Sequence, residues 1–108
     1  MIIQLNADKN LTIHEEYQTQ ITAKINKEIE RFDHLITRIE VHLSDENGIK
    51  NGQQDKRCLL EARIEGRSPV AVTHMGQNYD LAINGAVDKL KSALNTIVGK
   101  LQDSNHSQ

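Results

Sequence analysis

Cysteine, proline and aromatic residues are scarce in this chain. Its 108 residues include one cysteine, one proline, no tryptophan, two tyrosines and one phenylalanine. A single thiol, Cys58, excludes an internal disulfide and a thiolate metal site. So few aromatic rings leave little material for stacking single-stranded bases, which counts against an open-strand nucleic-acid platform. No apolar run approaches the length of about 18 residues that a spanning helix needs. No hydrophobic stretch near Met1 has the form of a secretory signal. A cytoplasmic location with no membrane partner is therefore expected. Phosphate-cradling glycine loops are missing as well, since no G-x-x-x-x-G-K-[ST] string occurs.

A strong charge of one sign is also lacking. Thirteen Lys and Arg stand against fifteen Asp and Glu, for a formal charge of −2. That balance argues against coating nucleic acid by bulk electrostatics, because such binding rests on neutralising phosphates with Lys and Arg. It leaves room for a local basic patch, and the useful question is where the cations lie. Beyond Gly66 the cations Arg67, Lys89, Lys91 and Lys100 outnumber the anions Asp80, Asp88 and Asp103, so the C-terminal third alone has a long positive excess. The length suits a single domain. Residues 1–102 are expected to form it, and 103–108 a short polar tail.

Hydrophobic periodicity sets out the elements. Ile2, Ile3 and Leu5 suggest a first strand, and Asp8-Lys9-Asn10 supplies a turn. Thr12 and Glu15 have capping-box spacing, which predicts a helix start there. Behind them Tyr17, Ile21, Ile25, Ile29, Phe32 and Leu35 recur at steps of three and four, the pattern of one buried helical face. From Ile36 the period is two: Ile39, Val41 and Leu43 point one way, Arg38, Glu40, His42 and Ser44 the other. After a polar stretch with turn dipeptides Asn47-Gly48 and Asn51-Gly52, the alternation resumes. Cys58, Leu60, Ala62 and Ile64 form one row, and Arg57, Leu59, Glu61, Arg63 and Glu65 the other. Gly66-Arg67-Ser68 is a turn, and Pro69 opens a strand whose inward row is Val70, Val72 and His74. Gly76 is expected to break that strand and Asn78 to cap a last helix with the stripe Ile83, Val87, Leu90, Leu94, Ile97 and Leu101. Gly85 within this helix costs about 1 kcal/mol relative to Ala, which suggests a close approach to another backbone.

The expected fold is α+β, in the order β-α-β-β-β-α. It has a four-stranded mixed sheet with both helices on one face, resembling a double-stranded-RNA-binding domain in architecture. The opposite face, with Arg38, Glu40, His42, Arg57, Glu61, Arg63 and Glu65, is expected to be wet.

Catalytic constellations are poorly represented. His14, His34, His42, His74 and His106 are scattered without helical i, i+4 pairing or carboxylate support. Cys58 sits in an inward row and reads as a small core hydrophobe. No enzyme, metal site, cofactor or small-molecule substrate is expected. The remaining constellation is cationic. Lys24, Lys27 and Arg31, spaced three and four, form one ridge on the first helix, and Lys89 with Lys91 begins a second group on the last. Two readings stay open: a patch that contacts phosphates of A-form RNA, or a solvated face on which Glu28 pairs with Lys24 and Glu30 sits beside Lys27.

The run Gly76-Gln77-Asn78-Tyr79-Asp80-Leu81-Ala82-Ile83-Asn84-Gly85-Ala86-Val87-Asp88-Lys89-Leu90 resembles the signature that opens the last helix of the ribosome hibernation-promoting factor family. This family includes the ribosome-associated inhibitor and was once labelled sigma-54 modulation protein. Leu11-Thr12-Ile13, Thr22-Ala23-Lys24, Lys27 and Phe32-Asp33 are similar to its first-helix pattern. The resemblance covers roughly Ile3 to Leu101 and looks like a short form. It implies a cytoplasmic domain that binds the 30S subunit or 70S ribosome at the decoding region, contacts 16S rRNA, and inhibits translation during stress or stationary phase. Lys24, Lys27 and Lys89 match basic family positions, with Arg31 and Lys91 as further rRNA-binding candidates. Ser92, Thr96 and Val98 stand where short-form relatives carry cations, and Asn78 replaces an acidic cap. The alternative is a diverged domain of the same fold that acts through protein–protein contacts.

Overall fold

A computed structural model describes residues 1–8, 11–46 and 55–106, with side chains through residue 100. The turn at Lys9-Asn10, the dipeptides Asn47-Gly48 and Asn51-Gly52, and the end of the expected tail at 107–108 lie outside the described residues. The elements run β1 (Ile2–Ala7), α1 (Glu15–Ile29), β2 (Ile36–Asp45), β3 (Lys56–Ile64), β4 (Val70–Gly76) and α2 (Tyr79–His106). A 3₁₀ turn, Glu30–Phe32, follows α1. The four strands form one sheet in the order β1-β2-β3-β4. β1 runs parallel to β2 with Ile3 opposite Ile39 and Leu5 opposite Val41, and β2, β3 and β4 form an antiparallel meander. This is the expected α+β architecture.

The inward rows meet as expected. Ile39, Val41, Leu43, Cys58, Leu60, Ala62 and Ile64 are buried in one cluster with Ile21, Ile25 and Ile29 of α1 and Ile83, Val87, Leu90 and Leu94 of α2. Each fully buried Ile or Leu contributes about 1.5–3 kcal/mol relative to exposure. Ala82 and Ala86 join the cluster, small residues that a stripe of large side chains does not reveal. Ile36 and Ile39 both face inward although three residues apart, because the β2–β3 register shifts between Ile36 and Arg38 and resets the alternation.

The start of α1 departs from expectation. The helix begins at Glu15, and His14, not Thr12, occupies the N-cap position with extended backbone and no side-chain cap hydrogen bond. Leu11 and Ile13 are half-buried and pack on the core while Thr12 between them is exposed, so this segment is held extended by burial of alternate residues. The capping box is therefore not formed. Instead, the Gln18 side-chain amide donates to the Ile13 carbonyl at 2.8 Å, and Glu15 and Glu16 lie in the first turn, where carboxylates favour the helix dipole. The far end differs too: α1 stops at Ile29, and Phe32 is buried from the 3₁₀ turn.

Two glycines position α2. Gly76 ends β4 as its last residue, and a Cβ there would come within 2.9 Å of both Leu81 Cβ and the Ala82 nitrogen. Asn78 then caps the helix, its Oδ1 accepting from the Leu81 amide at 2.8 Å. At Gly85 the close neighbour is a side chain, not the backbone expected: a Cβ would collide with Cδ2 of His74, whose ring fills the space that the glycine leaves. α2 runs to His106, four residues beyond the domain limit expected at 102.

Candidate nucleic-acid interface

The buried stripe Ile21, Ile25, Ile29 of α1 faces the sheet, so the ridge of Lys24 and Lys27 faces out. Both lysines are exposed, and among the described residues neither makes an ion pair. Their expected partners are otherwise placed. Glu28 Oε1 lies 3.4 Å from Lys91 Nζ on α2 rather than on Lys24, which corrects the intrahelical pairing. Glu30 has left the helix for the 3₁₀ turn.

The other three candidate cations are engaged. Arg31 donates from Nη2 to Asn95 Oδ1 of α2, and its guanidinium lies 4.6 Å from the centroid of the buried Phe32 ring. Arg31 and Lys91 thus brace the seam between the helices. Lys89 donates from Nζ to the Thr73 carbonyl of β4 at 2.8 Å, placing it over the edge strand on the opposite flank of α2. The reason is helical geometry: at about 100° per residue, positions two apart point to opposite sides. The five candidates are therefore not one patch. The structure brings Lys24, Lys27, Arg31 and Lys91 to the α1 side, and Lys89 to the β4 side.

A cavity of about 190 Å³ opens between the starts of the two helices, with Tyr17, Gln20, Lys24, Asp80 and Asn84 among its walls. Tyr17 crosses from α1 to α2 and donates its hydroxyl to Asp80 Oδ1 at 2.5 Å. Burial, and then this bond to a carboxylate, raise the phenol well above its usual range. Tyr17 is legible in the sequence as part of an apolar stripe, but its partner 63 positions away is not. The arrangement fixes the helix pair at one end, as Arg31–Asn95 does further along, and holds Lys24 on a rigid support.

Chemistry of other kinds finds little here. Among the described residues no group of three or more His, Cys, Asp and Glu side chains is placed to hold a metal ion. His74 packs on Gly85, Cys58 is buried with its thiol pushed up to about 12 by burial, and the side chain of His106 lies outside the described ones. No described helix is long and apolar enough to cross a membrane.

What these features define is a two-layer α+β domain with two exposed lysines, Lys24 and Lys27, on the outer side of α1. Comparison with known proteins narrows the class. The model of the family described as sigma 54 modulation protein / S30EA ribosomal protein matches residues 6–102, and the chain belongs to that family of ribosome-associated factors. Among solved structures, the N-terminal domain of Thermus thermophilus Protein Y superposes with a TM-score of 0.71 at 21% identity, covering 90% of this chain and 99% of that one. A ribosomal subunit interface protein from Coxiella burnetii gives 0.73 at 16% identity, covering 92% and 99%. Both share the fold described above. Comparison with curated protein sequences gives no match.

Proposed function

We propose that this chain is a translation inhibitor of the hibernation type, which lodges in the decoding region of the small ribosomal subunit against 16S rRNA and excludes messenger and transfer RNA under stress or in stationary phase. The observation that carries this reading is the family match over 6–102, on a fold that leaves Lys24 and Lys27 exposed and without ion pairs among the described residues. In this reading the two lysines meet rRNA phosphates directly. Lys89 adds a contact from the other flank of α2, while Arg31 and Lys91 hold the helices at the spacing the phosphates require. The site works in the cytoplasm by occupancy, without reaction, cofactor or small-molecule substrate. A slightly acidic protein can bind this way because the contact is local: recognition of folded RNA depends on shape and a few placed phosphates more than on total charge.

Co-sedimentation with 30S and 70S particles tests the reading. The wild-type protein is expected to pellet with them at low salt and to be released as salt rises. Lys24→Glu with Lys27→Glu is expected to remain in the supernatant, with the thermal melt unchanged because both side chains are exposed. Absence of the wild-type protein from both particles at low salt overturns the ribosomal assignment. Pelleting of the double variant overturns the choice of surface.

A further inference from the structure

The face of the sheet away from the helices carries a charge arrangement that the reading above does not use. Arg38 of β2 and Arg63 of β3 stand directly opposite one another across the antiparallel pair. Like charges in that position are destabilising, and an anion between them offsets the repulsion. Here the anion is Glu40: its Oε2 lies 3.6 Å from Arg38 Nε and 3.5 Å from Arg63 Nη2. The carboxylate also faces His42, whose Nε2 is 3.7 Å from Oε1, and Glu61 reaches Arg63 Nε at 3.8 Å.

These contacts are long. Guanidinium–carboxylate hydrogen bonds are commonly about 2.7–2.9 Å, and Arg38 Nε, although buried, has no hydrogen-bond partner. The guanidinium donors are gathered around a carboxylate that does not saturate them. Arg57 lies six residues from Arg63 on the same face of β3, about 20 Å away at the usual strand rise, with Leu59 and Glu61 between them, and its Nη1 is 3.9 Å from Glu46 Oε1. Between and beside them lie Gln4, Asn6, Ser44 and Thr73, with amide and hydroxyl groups suited to ribose and phosphate oxygens. Two adjacent guanidinium forks complement the phosphates of a polyanion better than they complement one carboxylate, since each fork can match a phosphate bidentately.

We propose that the Arg38–Arg63 pair is a second RNA-backbone site, a phosphate clamp that Glu40 fills in the free protein and vacates when RNA docks. The proposal rests on the ribosomal reading and deepens it: the domain meets RNA on both sides, through lysines on its helix layer and arginines on its sheet. Glu40 acts as an internal competitor that, with Glu61, offsets the two arginines when no RNA is present.

The test measures the salt dependence of binding to 30S particles and, separately, to a short A-form RNA duplex, for wild type, Arg38→Gln with Arg63→Gln, and Glu40→Gln. Each phosphate contact contributes close to one unit to the log–log salt slope, so the double variant is expected to lose between one and two units on both probes. Glu40→Gln, which keeps size and removes the competitor, is expected to bind severalfold more tightly at a given salt concentration. An unchanged slope in the double variant on both probes overturns the clamp. Wild type that fails to bind 30S particles, with a slope loss on the duplex, overturns the ribosomal reading and leaves the clamp standing. A slope loss on 30S particles with none on the RNA duplex assigns the face to a protein partner and overturns the proposal.

Discussion

Alternate residues of β2 and β3 point to opposite sides of one sheet, and the two sides differ in almost every physical respect. On the helix side Ile39, Val41, Leu43, Cys58, Leu60 and Ala62 are at most 1% exposed, and no polar or charged residue among the described ones is buried with them. On the open side Arg38, Glu40, Glu61 and Arg63 are linked by ion pairs between 3.5 and 3.8 Å. The buried side supplies stability through packing that tolerates little change. The open side contributes little to stability and is free to serve recognition. Alternate residues of the same strands thus carry the core on one side and the proposed clamp on the other.

The largest effect expected near neutral pH breaks the buried side at its tightest point. Gly85→Ala should favour the helix by about 1 kcal/mol on propensity alone. The His74 ring occupies the position of the new methyl group, however, so the net outcome is destabilisation of about 1–3 kcal/mol in a denaturant melt. Adding His74→Ala should recover most of that loss. A rise in melting temperature for Gly85→Ala alone would contradict the close approach.

A second measurement sharpens the comparison through pH. The Cys58 thiol, ordinarily ionising near 9.0, is pushed up to about 12 by burial, so the folded state holds its proton where the unfolded state has released it. The group leaves stability unaffected below about pH 9 and removes it as pH rises toward 12, by at most about 1.4 kcal/mol per pH unit. The stability advantage of wild type over Cys58→Ala should therefore narrow with rising pH across that window. A constant difference would place the thiol in contact with water.

The smallest effect is expected on the open side. Arg38→Gln with Arg63→Gln should shift unfolding by less than about 1 kcal/mol, as is usual for exposed ion pairs, even where it alters binding. A larger loss would mean that the arginines hold the sheet together and that the two sides are less independent than their burial indicates.

Much of the fold was legible in the residues because each element announces itself locally. The alternation of β2 and β3, the stripe of α2 and the Asn78 cap all depend on residues a few positions apart. The exceptions are instructive. Thr12 and Glu15 have the spacing of a cap, yet burial of Leu11 and Ile13 prevailed over it, since two apolar contacts with the core outweigh one exposed hydrogen bond. The cationic site was only half legible. Lys24 and Lys27 follow from the stripe beside them, whereas spacing alone assigns Glu28 to Lys24 and only packing places it on Lys91. Lys89 and Lys91 were grouped by proximity in the chain although helical geometry already sends them to opposite flanks.

The sequence by itself determined the order of elements, the inward and outward rows of each strand, and the family, because these are properties of short windows and of residue identity. Tertiary structure alone decided that His74 fills the space at Gly85, that Tyr17 bonds Asp80, and that Arg38 stands opposite Arg63 with Glu40 between them. Each of these depends on the register and packing of elements that are separated along the chain. That register is set by the whole core at once, with the shift between Ile36 and Arg38 adjusting it where the local pattern alone would place the residues differently.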